Sequence, residues 1–184
     1  MRSTKKLTIS AILVAMGVVV MLLGGVVPVL DLSMSVMASL IVAFAYIEIG
    51  SPYTWLIWLA TALLSALLFP ASLLWVSYLA AFGIFPILKG YIERLPRSLW
   101  LITKIAFANA AIWIMIGASE LLLGLPLFDT DSLPLQLTPM MARIIKAALY
   151  LLLNLVFVAY DACLTACVRF YMEKLRHRFK NFLR

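Results

Sequence analysis

Long apolar runs, broken by short polar or proline-bearing stretches, divide the chain into six segments. The first runs from Leu7 to Val27 and stops at Pro28 and Asp31. The second runs from Met34 to Ile49 and ends in Gly50-Ser51-Pro52, a turn signal that leaves room only for a tight hairpin. The third covers Tyr53 to Phe69 and ends at Pro70, and the fourth covers Ser72 to Leu88 with Pro86 in its last turns. A polar stretch, Lys89 to Arg97, precedes the fifth segment, Leu99 to Leu123. The connection from Gly124 to Pro139 carries three prolines and two aspartates and reads as a surface loop. The sixth segment, Met140 to Met172, exceeds what a bilayer core needs at about 1.5 Å per residue, so it tilts or protrudes. Apolar runs of this length predict an all-α, polytopic membrane protein with six transmembrane helices; segments two to four are short enough that adjacent ones either cross or re-enter.

Composition supports the same reading. Of 184 residues 65% are hydrophobic and only 12% charged, more apolar surface than a soluble domain of this length covers. Mean hydropathy is +1.09. Six spans of about 20 residues use up the chain, so residues 1–184 form a single membrane domain. The basic start, Arg2, Lys5 and Lys6 before Leu7, resembles a signal peptide, but the apolar run has no polar cleavage-like exit and reads as an uncleaved first span.

Cations orient the spans. Arg2, Lys5 and Lys6 precede span one; Lys89, Arg94 and Arg97 lie between spans four and five; Arg169, Lys174, Arg176, Arg178, Lys180 and Arg184 follow span six. An even number of crossings puts all three groups on one side, which the positive-inside rule makes cytoplasmic, with both termini. Asp31, Asp129 and Asp131 then face outward. The formal charge of +7 is accounted for by these clusters, and the basic C-terminal tail with Phe179 and Phe182 reads as a juxtamembrane helix on anionic lipid, with no nucleic-acid partner. Cys163 and Cys167 stand at i, i+4, and the one histidine, His177, is in the tail, so no metal spacing and no Cys/His catalytic arrangement is present. There is no Gly-rich phosphate loop, no cofactor motif and no nucleophile with a neighbouring base. An enzyme is not expected, and energised transport would require a separate motor or a gradient.

The informative residues are the few polar groups inside the spans, which are costly there and face the protein interior. At 100° per residue Arg143, Lys146, Tyr150, Asn154 and Asp161 fall within about an 80° arc of the sixth helix, and Asn109, Trp113 and Glu120 within about a 40° arc of the fifth. The two helices are antiparallel, so Asn109 and Asn154 come near mid-depth while Glu120 lies level with Arg143 and Lys146. Two readings follow: a ligand cavity between the stripes, or a Glu120 ion pair with Arg143 or Lys146 and asparagines that join helices. An outward Arg143 and Lys146 favour an anionic or zwitterionic ligand. Lys104 either snorkels to headgroups or pairs with Asp161. Trp75 and Tyr78, opening the fourth helix, either stack a flat ligand or belong to an interfacial belt, as Trp55, Trp58 and Trp100 do at the inner side. Glu48 has no evident partner.

Ala11 and Ala15, four apart on the first helix, permit close approach of another helix. With six spans, both ends inside and this Ala-x-x-x-Ala pair after a basic N-terminus, the chain resembles the substrate-binding (S) component of an energy-coupling factor (ECF) transporter. That resemblance implies a vitamin-like substrate bound near the outer face. It also implies docking of the first helix, through Ala11 and Ala15, on a transmembrane T component driven by two cytoplasmic ATPase subunits. The alternative is an MreD-like scaffold of cell-wall synthesis, which shares a small helical fold and carries no transported ligand. Cysteine-accessibility labelling at sites engineered near Lys5, Arg94 and Arg178 should report the cytoplasmic side for all three; an outward report from any one overturns the six-span topology.

Overall fold

A computed structural model describes residues 3–70, 72–94, 96–124 and 139–176. These residues form helices and turns, with no strand among them. Six helices are long and apolar enough to cross a membrane: α1 (Ser3–Val26), α2 (Asp31–Glu48), α3 (Ser51–Leu68), α4 (Leu73–Ile92), α5 (Arg97–Leu123) and α6 (Pro139–Phe170). By length and composition this is a multi-pass membrane protein. α6 continues through a π-helical turn at Tyr171–Leu175, and its apolar stretch of 36 residues amounts to about 54 Å, well beyond a hydrocarbon core of about 30 Å. The loop over 125–138 and the tail over 177–184 lie outside the described residues.

Local chemistry explains where the helices begin and end. Gly50 caps α3 at φ 98°, a left-handed conformation suited to glycine, and Pro52 sits in the first turn, where its missing N–H costs no hydrogen bond. Two of the three residues read as a turn therefore belong to the helix. Pro28 opens a short 3-10 turn, Pro28–Leu30, and Asp31 then starts α2, with its carboxylate near the positive end of the helix dipole.

Contacts gather the helix ends at two poles. At one, Lys6 Nζ donates to Ile49 O at 3.3 Å, the Ser51 and Tyr91 hydroxyls lie 2.8 Å apart, and Arg176 Nε pairs with Glu48 at 3.3 Å. The start of α1, the end of α2, the start of α3, the end of α4 and the end of α6 thus share a basic pole. At the opposite pole Gly24 and Gly25 let α1 close on its neighbours. A Cβ on Gly24 would stand 2.9 Å from Met34 Cβ, and one on Gly25 would stand 2.6 Å from the Phe69 ring. The interior comprises three adjoining clusters. One surrounds Phe85 with Ala108, Phe157 and Leu164; one surrounds Tyr78 with Met21, Val42 and Ile87; one joins Leu13, Ala45 and Ile57 near the basic pole.

α4 differs most from a simple apolar span. It reaches Ile92 rather than stopping near Leu88, and it is interrupted by a π-helical turn at Tyr78–Phe82 followed by Gly83 and Ile84. Pro86 is the physical cause, because it has no N–H to give to the carbonyl of Phe82, four residues earlier. In a membrane interior that carbonyl needs another donor. Tyr160 of α6 supplies it: its hydroxyl donates to Phe82 O at 2.9 Å and lies 2.9 Å from Ser39 Oγ of α2. The Tyr160 ring packs edge-on to Phe82, with centroids 5.0 Å apart. Nearby, Ser35 and Ser77 hydroxyls meet at 3.0 Å, tying α2 to the first half of α4.

Tyr160→Phe keeps the ring and leaves the Phe82 carbonyl without its donor, so it should destabilise the bundle by about 1–3 kcal/mol. Denaturation in detergent micelles measures this, and an unchanged unfolding midpoint would show that another group takes over the carbonyl.

Candidate functional site

The costliest groups in the bundle lie together near the basic pole. Lys89 is in the last turn of α4, Lys104 in the second turn of α5 and Asp161 in the second half of α6; both lysines are buried. Lys89 Nζ contacts Asp161 Oδ1, and Lys104 Nζ donates to Asp161 Oδ2 at 2.5 Å. Thr165, one turn beyond Asp161, donates to Asp161 O at 2.7 Å and turns a lone pair to Lys89, 2.6 Å away. Lys89 also reaches Asp161 O at 3.2 Å and Glu93 at 3.4 Å. The Lys104 ammonium stands 4.1 Å from the centroid of the Trp100 ring, within cation–π range. One carboxylate therefore holds two ammonium groups from two other helices. Desolvation of each ion costs several kcal/mol, which the Coulombic and hydrogen-bond terms offset only while all three groups stay in place.

Beside this cluster a cleft of about 70 Å³ opens between α5 and α6. Lys104 and Asp161 line one end and Asn154 the other, with Leu101, Ile105 and Phe157 among its apolar walls. A second cavity, about 150 Å³, lies on the far side of Lys89 against α2, lined by Tyr46, Pro86, Gly90 and Val168 among others.

The residues singled out from the sequence are distributed as follows. Asn109 and Tyr150 meet, the Tyr150 hydroxyl donating to Asn109 Oδ1, so the stripes of α5 and α6 do face each other at mid-depth. Asn109 also donates to Ile105 O at 2.9 Å, and Asn154 to Tyr150 O at 3.0 Å. Toward the opposite pole Glu120, Arg143 and Lys146 are exposed, and among the described residues they form no ion pair with one another. Trp113 is 66% exposed, pointing off the bundle. Tyr78 is 1% exposed, locked in the core by the π-turn, which excludes it as an open stacking platform. Trp75 donates to Pro70 O at 3.3 Å at the start of α4. Ala11 and Ala15 are both exposed.

Of the two readings of Lys104, the pair with Asp161 is the one formed, because the second turn of α5 lies within reach of the carboxylate on α6. Glu48 gains partners in Arg176 and in Tyr171, whose hydroxyl donates to it at 3.1 Å. Trp58 packs edge-to-face on Trp55 with centroids 5.6 Å apart, and both lie half-buried against the Tyr78 cluster. Lys89 itself was legible only as the first residue of a polar connection, because nothing in the sequence shows that α4 continues for another turn beyond it. Thr165, at i, i+4 from Asp161, was a readable companion once Asp161 is known to be paired. The chain matches no protein-family model, no curated protein and no solved structure.

Two-on-one pairing sets an order of sensitivity. Asp161→Asn strands two buried ammonium groups and should cost about 3–5 kcal/mol. Lys104→Met should cost less, because the half-exposed Glu93 can turn to solvent while Asp161 keeps Lys89. The double substitution should be milder than Asp161→Asn alone. Unfolding midpoints of the three variants in detergent check the ranking, and equal losses for the two single variants would refute it.

Proposed function

We propose that this protein is the membrane-embedded substrate-binding component of an ECF-type micronutrient uptake transporter, energised by separate ATPase subunits, with both of its termini in the cytoplasm. The observation that carries the reading is the division of labour on α1. Its buried face is Ser10, Leu13, Gly17, Met21 and Gly24, whereas Ala11 and Ala15 lie on the other side, surrounded by exposed Ile12, Met16 and Val19. On α1 the small residues used for packing inside the bundle are thus Ser10, Gly17 and Gly24. The alanine pair stays available for a second membrane helix, as docking on a transmembrane T component requires.

Other features agree with this role. No phosphate-binding loop is present in the sequence, so the motor has to be another subunit. The Asn109, Tyr150 and Asn154 contacts supply polar groups at mid-depth between α5 and α6, the region where a solute would be held. In this reading Glu120, Arg143 and Lys146 extend the substrate site toward the outer face, where an anionic or zwitterionic ligand meets the two cations. The basic pole is cytoplasmic, because Lys5, Lys6, Arg94, Arg169, Lys174 and Arg176 cluster there.

Copurification from the native membrane tests the proposal. A tagged wild-type chain should retain a T component and a pair of ATPases. Ala11→Trp or Ala15→Trp should reduce that retention about ten-fold, the equivalent of roughly 1.4 kcal/mol, while the isolated chain stays folded. Recovery of cell-wall synthases with an MreC-like partner would replace the transporter reading by the scaffold one.

A further inference from the structure

We propose that the α5–α6 cleft beside Lys104 and Trp100 binds the phosphate of one anionic phospholipid. The argument begins with the hydrogens of a buried ammonium. Lys104 is 8% exposed and carries three N–H groups. One is spent on Asp161 Oδ2, and one side of the ammonium covers the Trp100 ring. Among the described residues no other acceptor meets it. Lys89, by contrast, is surrounded by Asp161 Oδ1, Asp161 O, Thr165 Oγ1 and Glu93. The two lysines therefore differ: Lys89 is saturated, and Lys104 retains a donor.

Charge leads to the same ligand. Lys89 and Lys104 bring two positive charges to the single carboxylate of Asp161, and the second carboxylate, Glu93, reaches only Lys89 and is 40% exposed. On the Lys104 side the cluster holds an excess of positive potential next to an open cleft. Trp100 stacks against the ammonium without lining the cleft, so the remaining N–H of Lys104 is the donor that meets a ligand there. A cationic donor lacking an acceptor fits an anionic oxygen group such as a phosphodiester.

The surroundings select the source of that phosphate. The rim residues Leu101, Ile105 and Val158 are exposed on the outside of the bundle, Leu101 at 62% and Val158 at 57%. In a membrane span such a rim faces acyl chains, so the cleft opens sideways into lipid. Lys104 lies about 10 Å along α5 from its start at Arg97, and its side chain turns back to Trp100, toward the level where headgroup phosphates lie. A lipid arriving laterally places its phosphate at Lys104 and one acyl chain along Ile105 and Phe157. A hydrated free anion would have to cross that apolar rim.

Native mass spectrometry of the full chain, released from nanodiscs of phosphatidylcholine doped with phosphatidylglycerol, tests this. Wild-type protein should retain one phosphatidylglycerol in preference to phosphatidylcholine. Lys104→Met should lower that retention about five-fold, the effect of one basic side chain at an anionic surface. Lys104→Arg, which keeps the charge and the donors, should retain the lipid and guards against a Lys104 variant that fails to fold. Arg94→Gln, which removes an exposed cation of the same pole, should leave retention unchanged. Loss in Arg94→Gln, with none in Lys104→Met, would overturn the site in favour of diffuse surface attraction. Inorganic phosphate added to phosphatidylcholine-only nanodiscs should not raise the unfolding temperature; a rise abolished by Lys104→Met would assign the site to a free anion and refute the lipid.

Discussion

A single carboxylate organises half of this bundle. Asp161 receives Lys89 from α4 and Lys104 from α5, so three helices that meet mostly through apolar contacts are also joined by charge. Lipid tails are as apolar as leucine, and hydrophobic burial gives little drive to bring such helices together. A shared ion cluster differs in kind, because none of its members tolerates separation from the others in a low-dielectric interior. α5 packs chiefly on α4, and the Lys104 pair and the Tyr150–Asn109 bond are its polar ties to α6 among the described residues.

The same constraint governs the broken helix. Pro86 removes one donor, the Phe82 carbonyl is left exposed to the bundle interior, and Tyr160 answers it from α6. Tyr160 and Asp161 are neighbours in sequence, so adjacent residues on one helix satisfy two separate demands of α4. Tyr160 serves the break, and Asp161 serves the lysine seven residues beyond Phe82. Through Ser39 the arrangement extends to α2, and through Glu48, Tyr171 and Arg176 it closes again at the basic pole. α6 is thereby held along its second half, whereas Arg143 and Lys146 in its first half stand free of ion pairs among the described residues.

This asymmetry bears on function. The basic pole is polar, tied and charge-dense, while the opposite ends of α5 and α6 present exposed Trp113, Glu120, Arg143 and Lys146. In the proposed substrate-binding role the exposed ends would form the entrance and the tied pole its base. α1 stands apart from both. It packs through its glycine face and leaves the alanine face outward, so a partner can be engaged there without disturbing the charge cluster.

Period, length and charge in the sequence determined the six apolar helices, their approximate limits and the gathering of cations at one pole, because each of these depends only on residues near one another along the chain. That the polar stripes of α5 and α6 face each other was also legible from periodicity and an antiparallel connection, but the residue opposite Asn109 is Tyr150, one turn from the Asn154 that depth alone matches to it. Sequence alone did not reveal that Lys89 lies inside α4, that Lys104 turns inward to Asp161, that Glu48 meets Arg176, or that Tyr78 is sealed in the core. Each of those depends on the break at Pro86 and on how far neighbouring helices slide past one another. Such displacements are set by close packing at Gly24, Gly25 and Phe85, where side chains far apart in sequence have to fit. Whether a charge in a membrane span seeks the headgroups or a partner is decided by whether a partner's three-dimensional position lies within reach, and only the tertiary structure supplies that position.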